Sequence, residues 1–234
     1  MEGTQLVPSQ YTSGLAGFRQ ANTEQVQDLV SHGYVVVGLD QPYTSAVAVS
    51  AKGRIIEGWS KPQIQPLIDQ SISPAKIPPR LNGHPLRGGI VPYLAQDIRF
   101  TLRQLAALNA KGSGSLLAGH LDMGHTGIFG VSLGAMVAAE ASHEDPGLDA
   151  CLMMDAAMPV DVVRSGLKQP AMWLTRRATD MRLERKRSAG WTEKDIRQTL
   201  STMEDAFAKS RAEGSYDVVI PGMFHINFTD APRD

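Results

Sequence analysis

Short apolar runs alternate along the chain with stretches in which hydrophobic residues recur at helical spacing. Residues 34–40 form a β-branched apolar run that is typical of a buried parallel strand. Before this run, residues 22–31 predict a helix with Asn22 as its N-cap, and residues 5–11 predict a first strand. The order strand, helix, strand is the beginning of an α/β fold.

The second half of the chain repeats this alternation. Residues 93–110 carry leucine and isoleucine at three- and four-residue spacing, which predicts an amphipathic helix. The pattern then predicts strands at 127–130, 150–154, 170–175 and 216–220, with helices at 133–142 and at about 192–212. Because strands and helices alternate, we expect an α/β fold with a mostly parallel sheet flanked by helices.

Three segments depart from this pattern. Residues 46–49 and 54–57 predict a small hairpin away from the main sheet. Residues 58–92 contain seven prolines and little periodicity, which predicts a proline-rich excursion over a binding site. A helical insertion is predicted at about 177–213.

Composition limits the classes of protein to consider. A length of 234 residues with 42% hydrophobic residues favours a single domain over residues 1–234. The net charge of −1 disfavours binding to nucleic acid, since no positive field would attract a polyanion. The single cysteine, Cys151, excludes an internal disulfide and a cysteine-rich zinc site, and its apolar neighbours predict that it is buried.

Targeting signals are absent from the sequence given. It has no apolar run of about 18 residues, so no transmembrane segment is expected. The first 30 residues lack the basic and then apolar order of a secretory signal. Secreted and cytoplasmic locations both stay open, and so does assembly into a homo-oligomer.

The segment Gly130-Val131-Ser132-Leu133-Gly134 matches the pattern Gly-x-Ser-x-Gly. The pattern alone is common, but here a predicted strand precedes it and a predicted helix follows it. That context is what a nucleophile elbow requires, because the serine must sit on a sharp turn above the edge of the sheet. We therefore take Ser132 as the candidate nucleophile; an incidental serine in a strand–helix turn is the alternative.

A serine nucleophile needs a histidine base. Of six histidines, only His225 follows the last predicted strand, where a loop can bring the imidazole over Ser132. The chain order of nucleophile first and histidine last is that of the α/β hydrolases. His84 lies in the proline-rich excursion, where a role on the substrate side stays open.

Two aspartates compete for the role of the acid that orients the histidine. Asp155 ends the strand that follows the nucleophile helix, and Asp180 lies a few residues past the next strand, the more usual place in this fold. Asp180 sits in an arginine-rich stretch where a surface ion pair would explain it. Asp155 is favoured, and Asp180 stays open.

An oxyanion hole requires two backbone N–H groups. Leu133, directly after the nucleophile, supplies one. The loop at 13–17 follows the first strand, and its two glycines would let the backbone approach a ligand, so Leu15 is the candidate for the other. A plain turn is the alternative explanation for those glycines. Met223 and Phe224 are candidate substrate-binding residues, since they add apolar side chains beside His225.

No cofactor is expected. His120, Asp122 and His125 have a spacing that could suit a metal, but two histidines and one aspartate in a glycine-rich loop are not a specific signature. The sequence thus predicts no metal site.

Four segments together resemble the plasma-type platelet-activating-factor acetylhydrolase family and its bacterial relatives. They are residues 13–19, residues 31–36, the motif at 130–134 with the strand end at 152–156, and residues 222–230, and they occur in the family's order. The family consists of α/β-hydrolase serine esterases, so the resemblance implies that fold.

The same resemblance implies roles for individual residues. It implies Ser132, Asp155 and His225 as a catalytic triad, with the amides of Leu15 and Leu133 as the oxyanion hole. The family usually has histidine where this chain has Val131, and it has further strands before the first loop. In that family a final helix would be expected after Asp234, where this sequence stops. The resemblance therefore implies a fold trimmed at both ends.

The expected activity is that of a serine carboxylic-ester hydrolase, similar to an acetylhydrolase. The resemblance implies short acyl groups on phospholipid-like or simple esters, and so a place in lipid degradation. A catalytically silent α/β-hydrolase scaffold that serves as a binding or interaction module is the alternative.

Overall fold

The computed structural model describes residues 5–188, 190–210 and 214–231, which form ten strands and seven α-helices. The strands are β1 (Val7–Thr12), β2 (Tyr34–Leu39), β3 (Val47–Val49), β4 (Ile55–Glu57), β5 (Arg80–Leu81), β6 (His84–Pro85), β7 (Gly127–Val131), β8 (Ala150–Met154), β9 (Ala171–Thr175) and β10 (Tyr216–Val219). The helices are α1 (Thr23–Ser31), α2 (Lys61–Ile72), α3 (Val91–Asn109), α4 (Leu133–Glu144), α5 (Val160–Ser165), α6 (Ala178–Ser188) and α7 (Glu193–Lys209).

Six strands form one parallel sheet in the order β10-β9-β8-β7-β1-β2. At least one helix lies between each pair of consecutive strands of this sheet. The chain runs from β1 outward to β2, then crosses back to β7 and continues in the other direction to β10. The direction of winding therefore reverses between β1 and β7, and parallel sheets bind ligands at the carboxyl ends of the strands beside such a reversal.

Alternate residues of the central strands face two different apolar layers. In β7, Ile128 packs into the larger layer, which contains side chains from α2, α3, α4, α5 and α7. Its neighbours Phe129 and Val131 pack into a smaller layer with Tyr11, Phe228 and side chains of α1. This period of two follows from strand geometry, and it explains why these runs are apolar at almost every position.

The predicted alternation of strands and helices is confirmed, and the predicted strands and helices in it match observed elements within a few residues. The predicted hairpin is also confirmed, because β3 and β4 pair with each other outside the main sheet. Cys151 is buried as predicted, and burial raises the pKa of its thiol to about 12.

The proline-rich segment 58–92 is not only an extended excursion, and this expectation was wrong in part. It contains the twelve-residue helix α2 and the short hairpin of β5 and β6. Pro62 lies in the first turn of α2, where a missing N–H costs no hydrogen bond, and Ser60 and Gln63 form a capping box. Ile64 and Leu67 are buried, so apolar packing outweighs the unfavourable prolines.

The segment 177–213, predicted as a helical insertion, contains α6 and α7, while residues 211–213 lie outside the described residues. The short helix α5 was not predicted. Among the described helices, none is both long enough and apolar enough to cross a membrane.

Candidate active site

The serine of the Gly-x-Ser-x-Gly motif occupies the turn between β7 and α4. Ser132 has φ 57° and ψ −125°, a conformation that residues with a side chain rarely adopt. Its N–H donates to the carbonyl oxygen of Met154 at 2.9 Å. The neighbouring strand β8 thus holds the strained turn in place, as a nucleophile elbow requires.

Three glycines let the backbone close tightly around this turn. A Cβ on Gly130 would lie less than 3.0 Å from the backbone of Gly134, and one on Gly134 less than 3.0 Å from the carbonyl group of Thr12. A Cβ on Gly14 would lie 3.0 Å from Cβ of Ser132. Glycine at these positions allows β7, α4 and the loop after β1 to meet at Ser132.

His225 is the histidine that the fold brings to the same end of the sheet. It begins the 3-10 turn His225–Phe228 that follows β10, and its Nδ1 lies 2.6 Å from Oδ2 of Asp155. Asp155 comes directly after β8 and is fully buried. Because the carboxylate occupies Nδ1, Nε2 is the nitrogen left to act on a hydroxyl.

Asp180, the other acid considered, has different partners. Its carboxylate accepts hydrogen bonds from the side chain of Arg177 and from the amide N–H of Gly222 at 3.0 Å. These bonds, first of all the one from Arg177, hold the pKa of Asp180 below its usual value. Asp180 therefore holds the backbone of the loop that carries His225, rather than the imidazole.

A cleft of about 540 Å³ opens at this point, in the volume range of small-molecule sites. It lies at the reversal between β1 and β7, and both Ser132 and His225 line it. The rest of its lining comes from the loop after β1 and from the segment after His225: Gly14, Leu15, Ala16, Gly17, Phe18, Gln20, Ala21, Ile226, Thr229, Asp230 and Ala231, together with Val131.

Two backbone amides of the segments that meet at Ser132 are unpaired. Within the described part of the chain, the N–H groups of Leu15 and Leu133 have no hydrogen-bond acceptor. The loop that holds Leu15 is fixed on both sides, because Ala16 donates to Thr44 at 2.8 Å and Gly17 to Gly14 at 2.9 Å. The loop is thus a rigid support for an amide beside the cleft.

A buried arginine next to Asp155 was missed in the sequence. Nε of Arg176 donates to Oδ2 of Asp155 at 2.7 Å, and Nη1 donates to Glu184 at 2.5 Å. The other oxygen of Glu184 accepts the amide N–H of His225 at 3.0 Å. The sequence of the charged run 176–187 does not indicate which of its side chains point into the protein. Their direction depends on the position at which β9 ends relative to the start of α6.

The two residues predicted to bind substrate do not line the cleft. Met223 packs into the smaller apolar layer. The guanidinium of Arg187 lies over the ring of Phe224, 5.3 Å from the centroid of that ring. The backbone just before these two residues takes a left-handed conformation at Gly222, which has φ 77°. Phe18 and Ile226 supply apolar surface in their place.

The other histidines singled out in the sequence lie outside the cleft. His84 is exposed in β6, and Nδ1 of His125 lies 2.7 Å from Asp122 at the surface. Across the described residues, His, Cys, Asp and Glu side chains do not gather in groups of three or more that could hold a metal ion.

Comparison with known proteins identifies the fold. No protein-family model matches the chain, and no curated protein matches it. Among solved structures, the ferulic acid esterase from Streptomyces cinnamoneus superposes on 97% of this chain with a TM-score of 0.67 and 24% sequence identity. The chain spans 54% of the length of that structure.

This likeness and the parallel six-stranded sheet confirm the α/β-hydrolase fold. The narrower resemblance to the platelet-activating-factor acetylhydrolase family stays a prediction.

Proposed function

We propose that the protein is a serine carboxylic-ester hydrolase that works without a cofactor through an acyl-enzyme. One observation carries the proposal: the imidazole of His225, bonded to buried Asp155 at 2.6 Å, lines the same cleft as Ser132 at its strained turn. Nucleophile, base and acid thus come from the ends of β7, β8 and the segment after β10, as in other enzymes with such triads.

In the first half of the reaction, Oγ of Ser132 attacks the ester carbonyl carbon while Nε2 of His225 takes the hydroxyl proton. The charge that develops on the carbonyl oxygen is stabilised by the N–H groups of Leu15 and Leu133. The tetrahedral intermediate collapses as the bond to the alcohol oxygen breaks, and the imidazolium returns its proton to the departing alcohol. An ester of Ser132 remains.

In the second half, His225 deprotonates a water molecule that attacks the acyl-enzyme. The second tetrahedral intermediate uses the same two amides and releases the carboxylic acid, with the proton returned to Ser132. Asp155 keeps the proton of the neutral imidazole on Nδ1 and stabilises the imidazolium in both halves.

The proposed substrates are small esters with short acyl groups. The cleft of about 540 Å³ has to hold both the acyl group and the alcohol, and its lining includes the apolar side chains of Leu15, Phe18 and Ile226. The sequence resemblance favours phospholipid-like or simple esters. The similar solved structure is a ferulic acid esterase, which supports ester hydrolysis in general and adds a feruloyl ester to the substrates worth assaying.

Replacement of the nucleophile tests the proposal. Hydrolysis of p-nitrophenyl acetate and butyrate by Ser132→Ala should fall by several orders of magnitude, because the variant cannot form an acyl-enzyme. Ser142→Ala, which changes a buried serine near the C-terminal end of α4 and outside the cleft, is the matched control. Equal rates for wild type and Ser132→Ala would overturn the assignment.

One observation keeps the silent scaffold in view: Ser132 and His225 share the cleft, yet no hydrogen bond joins their side chains in this structure. Such bonds often form only when a substrate is bound. A fluorophosphonate probe should label Ser132, and the label should be lost in His225→Ala. A folded protein that takes no label would favour the binding or interaction module instead.

A further inference from the structure

Four residues form a closed ring of contacts around the proposed base. Oδ2 of Asp155 accepts hydrogen bonds from Nδ1 of His225 at 2.6 Å and from Nε of Arg176 at 2.7 Å. Nη1 of Arg176 binds one oxygen of Glu184, and the other oxygen of Glu184 accepts the backbone N–H of His225 at 3.0 Å. The side chain and the backbone of His225 are thereby tied to the same arginine.

Most of this ring is buried, and its most exposed side chain is that of His225 at 27%. The side chains of Arg176 and Asp155 are both fully buried, and that of Glu184 is 12% exposed. Trp191 covers this ring of residues. Its indole meets the imidazole of His225 edge-on, with 5.0 Å between the two ring centroids, and the guanidinium of Arg176 lies 5.0 Å from the centroid of the indole. Charges in such surroundings interact strongly, because little solvent screens them.

The charges of the ring do not balance while His225 is neutral. Asp155 and Glu184 contribute two negative charges and Arg176 one positive charge, which leaves a net charge of −1. When His225 takes the proton of Ser132 the ring becomes neutral. Without Arg176 the ring would carry a net charge of −2 while His225 is neutral, and without Glu184 the ring would become positive when His225 is protonated. Both alternatives are costly.

We propose that Arg176 and Glu184 are positioning residues that align His225 and set the net charge against which it is protonated. This inference rests on the proposed function, in which His225 is the base. It goes beyond the triad, because it assigns a role to an ion pair that touches neither substrate nor Ser132. Asp155, Arg176 and Glu184 together give the imidazolium one unit of opposing charge, whereas Asp155 with Arg176 alone would give none.

The other charged groups on the elements around His225 have contacts of their own. On α6, Asp180 is paired with Arg177, and Arg187 lies over Phe224. On the segment after His225, Asp230 caps α1 through the N–H of Glu24 at 2.9 Å. These groups stay unchanged in the variants below, so the change in ring charge is the variable.

The experiment measures pH–rate profiles of kcat/KM and of kcat for p-nitrophenyl butyrate in Glu184→Gln and Arg176→Gln. Glu184→Gln removes a negative charge, so the acid limb should move to lower pH by on the order of one unit. Arg176→Gln removes a positive charge, so the limb should move to higher pH. In both variants kcat should fall about tenfold or more while KM changes less than twofold, because neither side chain lines the cleft.

The double variant Arg176→Gln/Glu184→Gln restores the net charge of −1, and its acid limb should return toward that of wild type. Glu193→Gln, which breaks an exposed ion pair with Arg182 on the neighbouring helix, is the control and should keep the wild-type profile. Glu184→Gln keeps the size of the side chain, so the test holds even if Arg176→Gln does not fold.

The outcomes separate this inference from the function on which it rests. If wild type shows no hydrolysis that depends on Ser132, the proposed function fails. If wild type hydrolyses the ester but both single variants keep its acid limb, or shift it in the same direction, the ring is only structural and the inference fails. Opposite shifts with an unchanged KM support it.

Discussion

Unusual backbone conformations are concentrated at the residues to which we assign chemistry. Within the described residues, five residues that carry a side chain have positive φ. Three of them are Ala16, which follows Leu15, and Ser132 and Asp155; their φ angles are 56°, 57° and 47°. Each such conformation costs about 1–3 kcal/mol, so the surrounding structure has to enforce it. A general requirement for turns would not place three of the five around one cleft.

The identity of the acid can be tested with single-atom changes. Asp155→Asn should lower kcat by roughly 10³- to 10⁴-fold, because the amide no longer favours the imidazole tautomer with its proton on Nδ1. The rate of p-nitrophenyl butyrate hydrolysis measures this effect, and circular dichroism verifies that the variant stays folded.

Asp180→Asn is the matched control for that change, since it makes the same substitution at the other acid that the sequence left open. Asp180 bonds to Arg177 and to the amide of Gly222, so its loss should lower kcat by less than about tenfold. If instead Asp180→Asn were the inactive variant, the assignment of Asp155 would be wrong.

At the scale of elements, the junction of β7 with α4 depends on glycine. Alanine in a helix interior is ordinarily about 1 kcal/mol better than glycine. At Gly134, however, a Cβ would lie less than 3.0 Å from the backbone of Thr12 and Ser13, which cannot move without shifting β1. We therefore expect Gly134→Ala to lower the free energy of unfolding by about 3 kcal/mol or more.

Urea denaturation measures that change, and Gly127→Ala is its control in β7. At Gly127 the nearest atom to a new Cβ, Oγ of Ser9, is 3.4 Å away, an ordinary contact, so the cost should stay below about 1 kcal/mol. Similar stabilities for the two variants would mean that the elbow is not packed as described.

A buried carboxyl group in α4 makes stability depend on pH. Glu140 is 2% exposed, and burial, with smaller contributions from Asp161 and Glu144, raises its pKa from 4.5 to about 8. The folded protein therefore keeps a proton that the unfolded chain loses above pH 4.5. Stability from this group falls as the pH rises from about 4.5 to about 8, by at most about 1.4 kcal/mol per pH unit.

Glu140→Gln should remove this loss. Urea denaturation should find the variant close to wild type at pH 5 and more stable than wild type at pH 8. Glu144→Gln, one helical turn later and exposed beside Arg99, should change the free energy of unfolding by less than about 1 kcal/mol at either pH. A wild type whose stability does not decline between these pH values would contradict the buried neutral carboxyl.

How far the elements could be predicted depends on what determines each one. The strands β7 and β8 were predictable because burial on both faces requires an apolar residue at nearly every position, whereas β2 is apolar although it is the half-buried edge strand. Helix α2 was not, since its two prolines argue against a helix, and what stabilises it is the burial of Ile64 and Leu67 against other elements. Sequence periodicity reports local structure, whereas that packing is tertiary.

At the scale of the whole molecule, the same distinction separates the predictable part of the candidate site from the rest. Ser132 and His225 could be selected because a motif and chain order identify them without coordinates. Arg176 and Glu184 could not, because in the sequence they are two charges in a basic run, and only the pairing of β9 with β8 brings Arg176 beside Asp155. Likewise Met223 and Phe224 adjoin His225 in sequence but face away from the cleft.

The cleft is assembled from the loop after β1, the elbow after β7 and the segment after β10, so the substrate preference tests the whole arrangement. In a series of p-nitrophenyl esters from acetate to dodecanoate, kcat/KM should be highest at two to four carbons. A cleft of about 540 Å³ that also holds the alcohol leaves little room for a long chain. A maximum at twelve carbons would contradict the proposed short-acyl class.

Phe18→Ala identifies the apolar wall in the same series. Phe18 lines the cleft and is 49% exposed in the free protein, so a bound substrate would cover the rest of its ring. Its loss should raise KM for butyrate several-fold, equivalent to about 1 kcal/mol, with little change in kcat, because ground state and transition state lose the same contact. Phe100→Ala in α3, 54% exposed but outside the cleft, should leave KM unchanged; equal effects of the two substitutions would show that the substrate does not bind against Phe18.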